Sequence, residues 1–393
     1  MSIKIKEFVD TVSHAQTHHT FSFPGLPQPV LVKTVPPMPA RVQITEPIQQ
    51  LTPQQQATKR HEKQLTRLLN TQIIDLDKIR SIAWAGIPTV YRARVWRLFL
   101  DYEPINSEAS TAVLSHKRED YFDCLERLFS PEQQPLWTTV QREIIRQIEL
   151  DLPRTRLLAM EDERVQFLFK HVLFIWAVRH PASGYVQGMN DILVPFYIAF
   201  LQPFFPNLTP FEIYNLPNMN GISKPDLEIV EADCFWCFGK LLDGLQDVFT
   251  KDRTGLFRML DDLSYLEQKC HPTFKKSLEQ EEINYQDFAI PWMNCLLVRE
   301  FKIPLLLRVW DLYLAQHQKV GQTVVYICSA MLDLVTPMFE ETNPNEYREK
   351  LKILGPDFWT LDNLETILAQ AYIIENNYPL DELRSQMQSE NQK

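Results

Sequence analysis

The sequence predicts an all-α protein. Apolar residues recur at helical spacing through most of the 393-residue chain. Alternating apolar–polar runs bounded by hairpin turns are nearly absent from it. Only 10 glycines occur, which argues against a glycine-rich β-barrel or a dinucleotide fold. No fixed-period repeat marks a solenoid. Helix–helix packing therefore has to supply the core, and most of the aromatic residues are assigned to it.

Residues 1–57 read as a tail. Eight prolines lie between Pro24 and Pro53, and each removes a donor and fixes φ, so no helical period survives. The segment is expected to be disordered or extended. His14, His18 and His19 fall here and read as solvated residues, since no second ligand pair is spaced nearby. The domain is expected over 58–380. Leu65, Leu68, Leu69, Ile73 and Leu76 recur at helical spacing, and 79–83 continues it. Gly86-Ile87-Pro88 breaks the run. The next helix, 91–100, places Tyr91, Val95, Trp96, Phe99 and Leu100 on one face. Helices follow at 118–129 and 137–150. The second carries Val140, Ile144, Ile145 and Ile148 as its stripe, and ends before Pro153, which pushes its predecessor out of the helical region.

A dense apolar helix at 164–178 stops at His180-Pro181. The loop 182–188 leads into a helix beginning near Asn190 or Asp191, both good N-caps. Residues 202–230 carry five prolines and read as a surface loop or insertion. Further helices are expected at 231–249, 256–267, 285–299, 304–314, 322–339, 347–354 and 361–375. Residues 381–393 read as a polar tail.

The formal net charge is −10. An acidic surface repels phosphate backbones, so nucleic acid is not expected as a partner. The opening Met1-Ser-Ile-Lys-Ile-Lys-Glu-Phe8 lacks the apolar stretch of a signal peptide. The longest uncharged apolar run, 192–205, is too short to span a bilayer and holds two prolines. No direct membrane span is expected. The six cysteines mostly sit in apolar helical surroundings, which fits reduced thiols in a cytoplasmic protein. Cys234-Phe-Trp-Cys237 has redox spacing, but no strand precedes it, and zinc would need a second pair.

Two polar sites stand out, each at a helix break. In Ile148-Glu-Leu-Asp151-Leu-Pro153-Arg154-Thr155, a helix runs out and Pro153 forces a turn that presents Arg154. A guanidinium there suits phosphate oxygens, with Asp151 placed to orient it; a surface Arg–Asp pair is the plainer alternative. In Ser183-Gly184-Tyr185-Val186-Gln187-Gly188-Met189-Asn190-Asp191, two glycines flank Gln187 just ahead of a helix N-terminus. Its amide donates and accepts at once, which suits holding a water or, more plainly, capping the helix.

Ile148-x-x-Asp151-x-x-Arg154 followed by Tyr185-x-Gln187-Gly188 resembles the paired finger motifs of TBC-domain Rab GTPase-activating proteins. Gly86-Ile87-Pro88-x-x-x-Arg92-x-x-Val95-Trp96, Glu231-Ala232-Asp233-x-Phe235-Trp236-Cys237 and Arg308-Val-Trp310-Asp311-x-Tyr313 fit the same family in the same order. The segments His180-Pro-Ala-Ser-Gly-Tyr-Val-Gln-Gly188 and Glu231-Ala-Asp-x-Phe-Trp-Cys237 are similar to the subgroup holding the Golgi-associated yeast Gyp proteins and their animal relatives. The resemblance covers about residues 60–380. It implies a two-lobed helical TBC domain, with lobes of about 58–250 and 251–380 and a groove between them. It also implies acceleration of GTP hydrolysis on a Rab-family small GTPase in its GTP-bound form, regulating vesicle trafficking. Arg154 and Gln187 would act as catalytic fingers, supported by Asp151, Thr155, Tyr185, Gly188, Asn190, Asp191 and Arg92. GTP and Mg²⁺ would be carried by the partner, so no cofactor of its own is expected. Recruitment to Golgi or other secretory-pathway membranes would follow from the subgroup.

Trp96, Trp176, Trp236 and Trp310 are expected as core anchors. Arg308 and Asp311, three apart, are placed to form an intrahelical pair. Pro291 stands where the family often has arginine, and Asp247-Val-Phe249-Thr250 replaces a more polar sequence; Pro304 is a third departure. A Rab-binding adaptor without activity, or a helical scaffold, is the alternative; both fingers being present weighs against it.

Overall fold

A computed structural model describes residues 53–250, 252–316 and 319–390. The tail expected over 1–57 therefore lies outside the described residues up to residue 52. Helix α1 (Pro53–Leu69) starts five residues earlier than the expected domain boundary. It is followed by α2 (Leu76–Ala83), α3 (Thr89–Phe99), α4 (Ser107–Phe129), α5 (Thr139–Asp151), α6 (Glu163–Arg179), α7 (Met189–Leu201), α8 (Pro210–Tyr214) and α9 (Lys224–Asp243). The second half adds α10 (Thr254–Cys270), α11 (Pro272–Gln280), α12 (Gln286–Asn294), α13 (Ile303–Ala315), α14 (Val320–Glu340), α15 (Tyr347–Lys352), α16 (Leu361–Asn377) and α17 (Leu380–Glu390). The all-α expectation holds among the described residues, where a single bridge, Ile73 to Asn106, is the extent of β pairing.

Several boundaries differ from the sequence expectation for physical reasons. The helical run through Ile73 breaks after Leu69, because Asp75 caps a new helix by accepting from the Lys78 N–H. Ile73 is exposed and pairs with Asn106. Helix α4 begins eleven residues before 118, capped by Asn106. The supposed insertion at 202–230 contains α8 and the first turns of α9, because Thr209 and Ser223 are N-caps whose following prolines suit a first helical turn. Helix α11 was not foreseen. The helix expected over 285–299 ends at Asn294 and gives way to a turn. The polar end is helix α17, whose Arg384 reaches back to the buried Asp262.

The core is built around α7, every residue of which is buried. It packs on α9 and α6 in the first half of the chain. Helices α10, α14 and α16 pack together in the second half. Helix α13 contacts α2, α3, α7, α8, α14 and α16, so it joins elements from both ends of the sequence. By length and composition α14 could cross a membrane, but 67% of its apolar window is buried in the protein.

Much of the motif pattern belongs to this packing. Asp311 on α13, with no exposed surface, accepts from Arg92 Nε at 2.9 Å, Arg92 Nη2 at 3.0 Å, Trp96 Nε1 at 2.8 Å and the Ile87 N–H at 2.9 Å. Arg308 instead bonds Glu365 and the Trp84 carbonyl, so the expected Arg308–Asp311 pair does not form. Gly86 has φ 87°, and a Cβ there would meet Arg308 Cδ at 2.9 Å. In the other cluster, Asp233 accepts from Tyr102, Arg97 and Arg118, while Glu231 accepts from Tyr121. Cys234 and Cys237 are buried near these acids on α9, where burial pushes both thiols up, away from the reactive thiolate. Trp96, Trp176 and Trp310 are core residues as expected, and the partly buried Trp236 donates to the Lys117 carbonyl.

A polar knot that the sequence did not reveal joins α10 to α14. Glu267 is fully buried and bonds Ser329 and His271; the other ring nitrogen of His271 bonds Asp333 at 2.6 Å. Burial opposes charge on His271, but Glu267 and Asp333 outweigh it and raise its pKa from 6.5 to about 9. A folded-state pKa above the unfolded one contributes stability that is complete below pH 6.5 and lost as pH rises through about 9. The melting temperature is expected to step down across that window, and His271→Asn to lack the step. An unchanged step in His271→Asn would assign it elsewhere.

Candidate functional site

Helix α5 ends at Asp151 and passes into a single tight turn, Leu152–Arg154. Proline suits this turn because its missing N–H is not needed there. Leu152 is buried and anchors the turn, while Pro153 and Arg154 face solvent. The Arg154 side chain is 65% exposed and bonds the Asp151 carboxylate, Nη1 to Oδ1 at 3.3 Å. It is thus aimed outward from a fixed base.

The second loop, between α6 and α7, turns on Gly184 and Gly188. Gly188 has φ 103°, in the left-handed region that favours glycine. It is itself the N-cap of α7. The expected N-caps, Asn190 and Asp191, therefore lie inside the first turn and are buried, and their side chains serve other partners. Gln187, one residue before the cap, is exposed.

The two loops are clasped to each other at two points. Tyr185 donates its hydroxyl to Asp151 Oδ2 at 3.0 Å. Asn190 Nδ2 donates to Thr155 Oγ1 at 2.9 Å. All four clasp residues are buried. Burial, with Asp151 alongside, pushes the Tyr185 phenol far above its ordinary range, so it remains a donor. Asp151 consequently holds Arg154 with one oxygen and the Gln187 loop with the other. Arg154 and Gln187 both stand exposed on tied loops, neither covered by packed helices.

Asp191 is held from the second half of the chain. Arg299 Nε donates to its Oδ2 at 2.8 Å, and the Cys295 thiol approaches at 3.7 Å. Burial lifts this carboxyl above its ordinary pKa, and Arg299 offsets only part of the lift. Asn294 Nδ2 donates to the Gln187 carbonyl at 2.9 Å. Sequence reasoning missed Asn294, Cys295 and Arg299, because spacing along a chain does not reveal contacts more than 100 residues apart. Arg92, expected to support the finger loops, spends its bonds on Asp311 and Ile87 instead.

An open groove runs beside Gln187, lined by Val140, Ile144, Gln147, Tyr185 and Val186. Val140, expected as part of a core stripe, is 68% exposed on its wall. Helix α5 buries only Ile148 of the four stripe residues.

A model of the Rab-GTPase-TBC domain matches residues 89–339. The chain belongs to the Rab-GTPase-TBC family. Among its relatives, the GTPase-activating protein gyp1 of Schizosaccharomyces pombe is 32% identical over 319 residues, covering 80% of this chain and 61% of that protein. TBC1 domain family member 22B of Homo sapiens is 34% identical over 310 residues, covering 78% and 59%. The chain thus spans about 60% of the length of these curated relatives. The crystal structure of the Ypt/Rab-GAP domain of Gyp1p superposes with a TM-score of 0.75 at 30% identity, covering 81% of this chain and 99% of that one. The TBC fold and the similarity to Gyp and TBC1D22-type proteins agree with the motifs quoted above. Within this TBC domain, both clasped loops fall inside the matched span.

Proposed function

We propose that the protein accelerates GTP hydrolysis by a Rab-type GTPase, to which Arg154 and Gln187 are supplied as paired fingers. The observation that carries this is the clasp: two exposed groups of complementary chemistry stand on loops tied together by buried bonds. Arg154 neutralises charge developing around the β- and γ-phosphates. Gln187 positions the attacking water. Both act as preorganised electrostatics with little covalent chemistry. GTP and Mg²⁺ arrive on the GTPase, and no cofactor of the protein's own takes part. The groove lined by Val140 and Ile144 offers the adjoining apolar surface for the GTPase. The lobes expected over about 58–250 and 251–380 belong to the same proposal, since α12 and the turn after it lie against the Gln187 loop. Recruitment to Golgi or other secretory-pathway membranes rests on similarity to the Gyp and TBC1D22-type proteins.

A hydrolysis screen against a panel of GTP-loaded Rabs tests it. At least one Rab is expected to turn over much faster with the protein present. Gln187→Ala is expected to lower that rate by roughly 10²-fold, the typical worth of one positioned polar group. Binding without acceleration on every Rab would identify an adaptor instead.

A further inference from the structure

The geometry points to Asn294 as a positioning residue for Gln187, a role that rests on the finger assignment above. Asn294 closes α12 and is 9% exposed. Its Nδ2–H bonds the Gln187 carbonyl across 107 residues of sequence. That carbonyl belongs to the peptide joining Gln187 to Gly188. Holding its plane fixes the direction in which the Gln187 side chain leaves the backbone.

Two further features converge on the same spot. A Cβ at Gly188 would stand 2.5 Å from Asn294 Nδ2 and 3.2 Å from Cys295 Sγ, so the missing side chain is what admits the amide. Behind Asn294 the chain turns through Leu296 and Leu297 at φ 49° and 63°. Leucine resists this left-handed region. The turn is nevertheless enforced, because both side chains are fully buried and the Leu297 N–H reaches the Trp292 carbonyl at 2.8 Å. Such strain persists where surrounding structure over-determines it, and it clusters at functional sites. Here it aims Asn294 at Gln187 and Cys295 at Asp191 from one short segment.

A glutamine that orients water works only within a narrow geometry. Freed of its strut, the Gln187 peptide can rotate, and a misplacement of about 1 Å costs roughly 10²-fold in rate. A plain packing amide would instead lower stability and leave the chemical step alone.

The test measures single-turnover GTP hydrolysis on the most responsive Rab, with Asn294→Ala and Asn294→Asp made in wild-type and Gln187→Ala backgrounds. The aspartate keeps the shape but removes the donor, and serves if the alanine variant melts early. The expected result is a fall of roughly 10–10²-fold in the rate at saturating protein. The half-saturating concentration should be unchanged, and the fall should vanish in the Gln187→Ala background. Hydrogen exchange of residues 184–190 in the protein alone should also accelerate. A folded variant with wild-type hydrolysis, or an equal loss without the Gln187 side chain, overturns the role. If the wild-type protein activates no Rab, the finger assignment fails by itself. Unchanged exchange at 184–190 then also removes Asn294 as the strut, and faster exchange retains it.

Discussion

Arg154→Ala is expected to remove nearly all stimulated GTP hydrolysis while leaving the melting temperature where it was. A trans-acting arginine contributes roughly 10³–10⁵ in rate on small GTPases, because its charge meets the phosphoryl group only as negative charge develops. The same side chain does little for the fold. It is 65% exposed and its ion pair is a 3.3 Å bond to Asp151, a surface pair worth about 0–1 kcal/mol. The two readouts therefore separate cleanly. Arg154→Lys should recover only part of the loss, since lysine restores charge but not the planar fork. Hydrolysis by Arg154→Ala equal to wild type on the responsive Rab would show that the guanidinium is a surface residue and nothing more.

Asp311→Ala should have the largest effect on stability. Its carboxylate is fully buried and receives four hydrogen bonds, two of them from Arg92. Arg92 is itself only 8% exposed. Deleting the acid leaves the Trp96 indole N–H and the Ile87 N–H without their acceptor, and the buried Arg92 guanidinium, though still bonded to the Ile87 carbonyl, without its counter-charge. Removing one member of a buried pair costs about 3–5 kcal/mol, chiefly for the charge left behind. Denaturant titration should show that loss as a lower midpoint. A change under about 1 kcal/mol would mean that water or a rearranged neighbour satisfies Arg92 readily. Restoring stability by Asp311→Ala combined with Arg92→Met would confirm that the stranded charge is the cause.

The all-helical fold was legible because a period of 3.6 survives in the apolar positions of most elements, as in α2 and α10. Gly86, Pro153 and Gly188 punctuate the chain in ways that local stereochemistry explains. Starts of helices were less visible. Asn190 looked like a cap because its residue type is right, yet Gly188 ends the loop two residues earlier in a conformation only glycine takes readily. Val140 looked like core because it shares a stripe with Ile148, but a periodic stripe does not say whether a neighbouring helix covers all of it. Ile148 is covered and Val140 is not.

The candidate site divides along a similar line. Arg154 and Gln187 sit at breaks that a sequence displays. The bonds between their loops need two residues 34 positions apart, Asp151 and Tyr185, to meet. Residue type made such a meeting plausible without fixing it. Asn294, Arg299 and the Asp311–Arg92 pair are farther still, at separations of 107, 108 and 219 positions. Contacts of that range follow from the completed packing of α7, α12 and α13, and no local pattern encodes them.

The left-handed turn at Leu296–Leu297 has a consequence for how this domain can be divided. Both proposed fingers, Arg154 and Gln187, belong to the first half of the polypeptide, and a fragment ending near residue 250 would still contain them. It would lack the segment that grips the peptide after Gln187 and the guanidinium that neutralises Asp191. Such a fragment carries the chemical groups without their alignment. If the two fingers act as proposed, any change that loosens the distant segment reaches them mechanically while leaving both side chains in place.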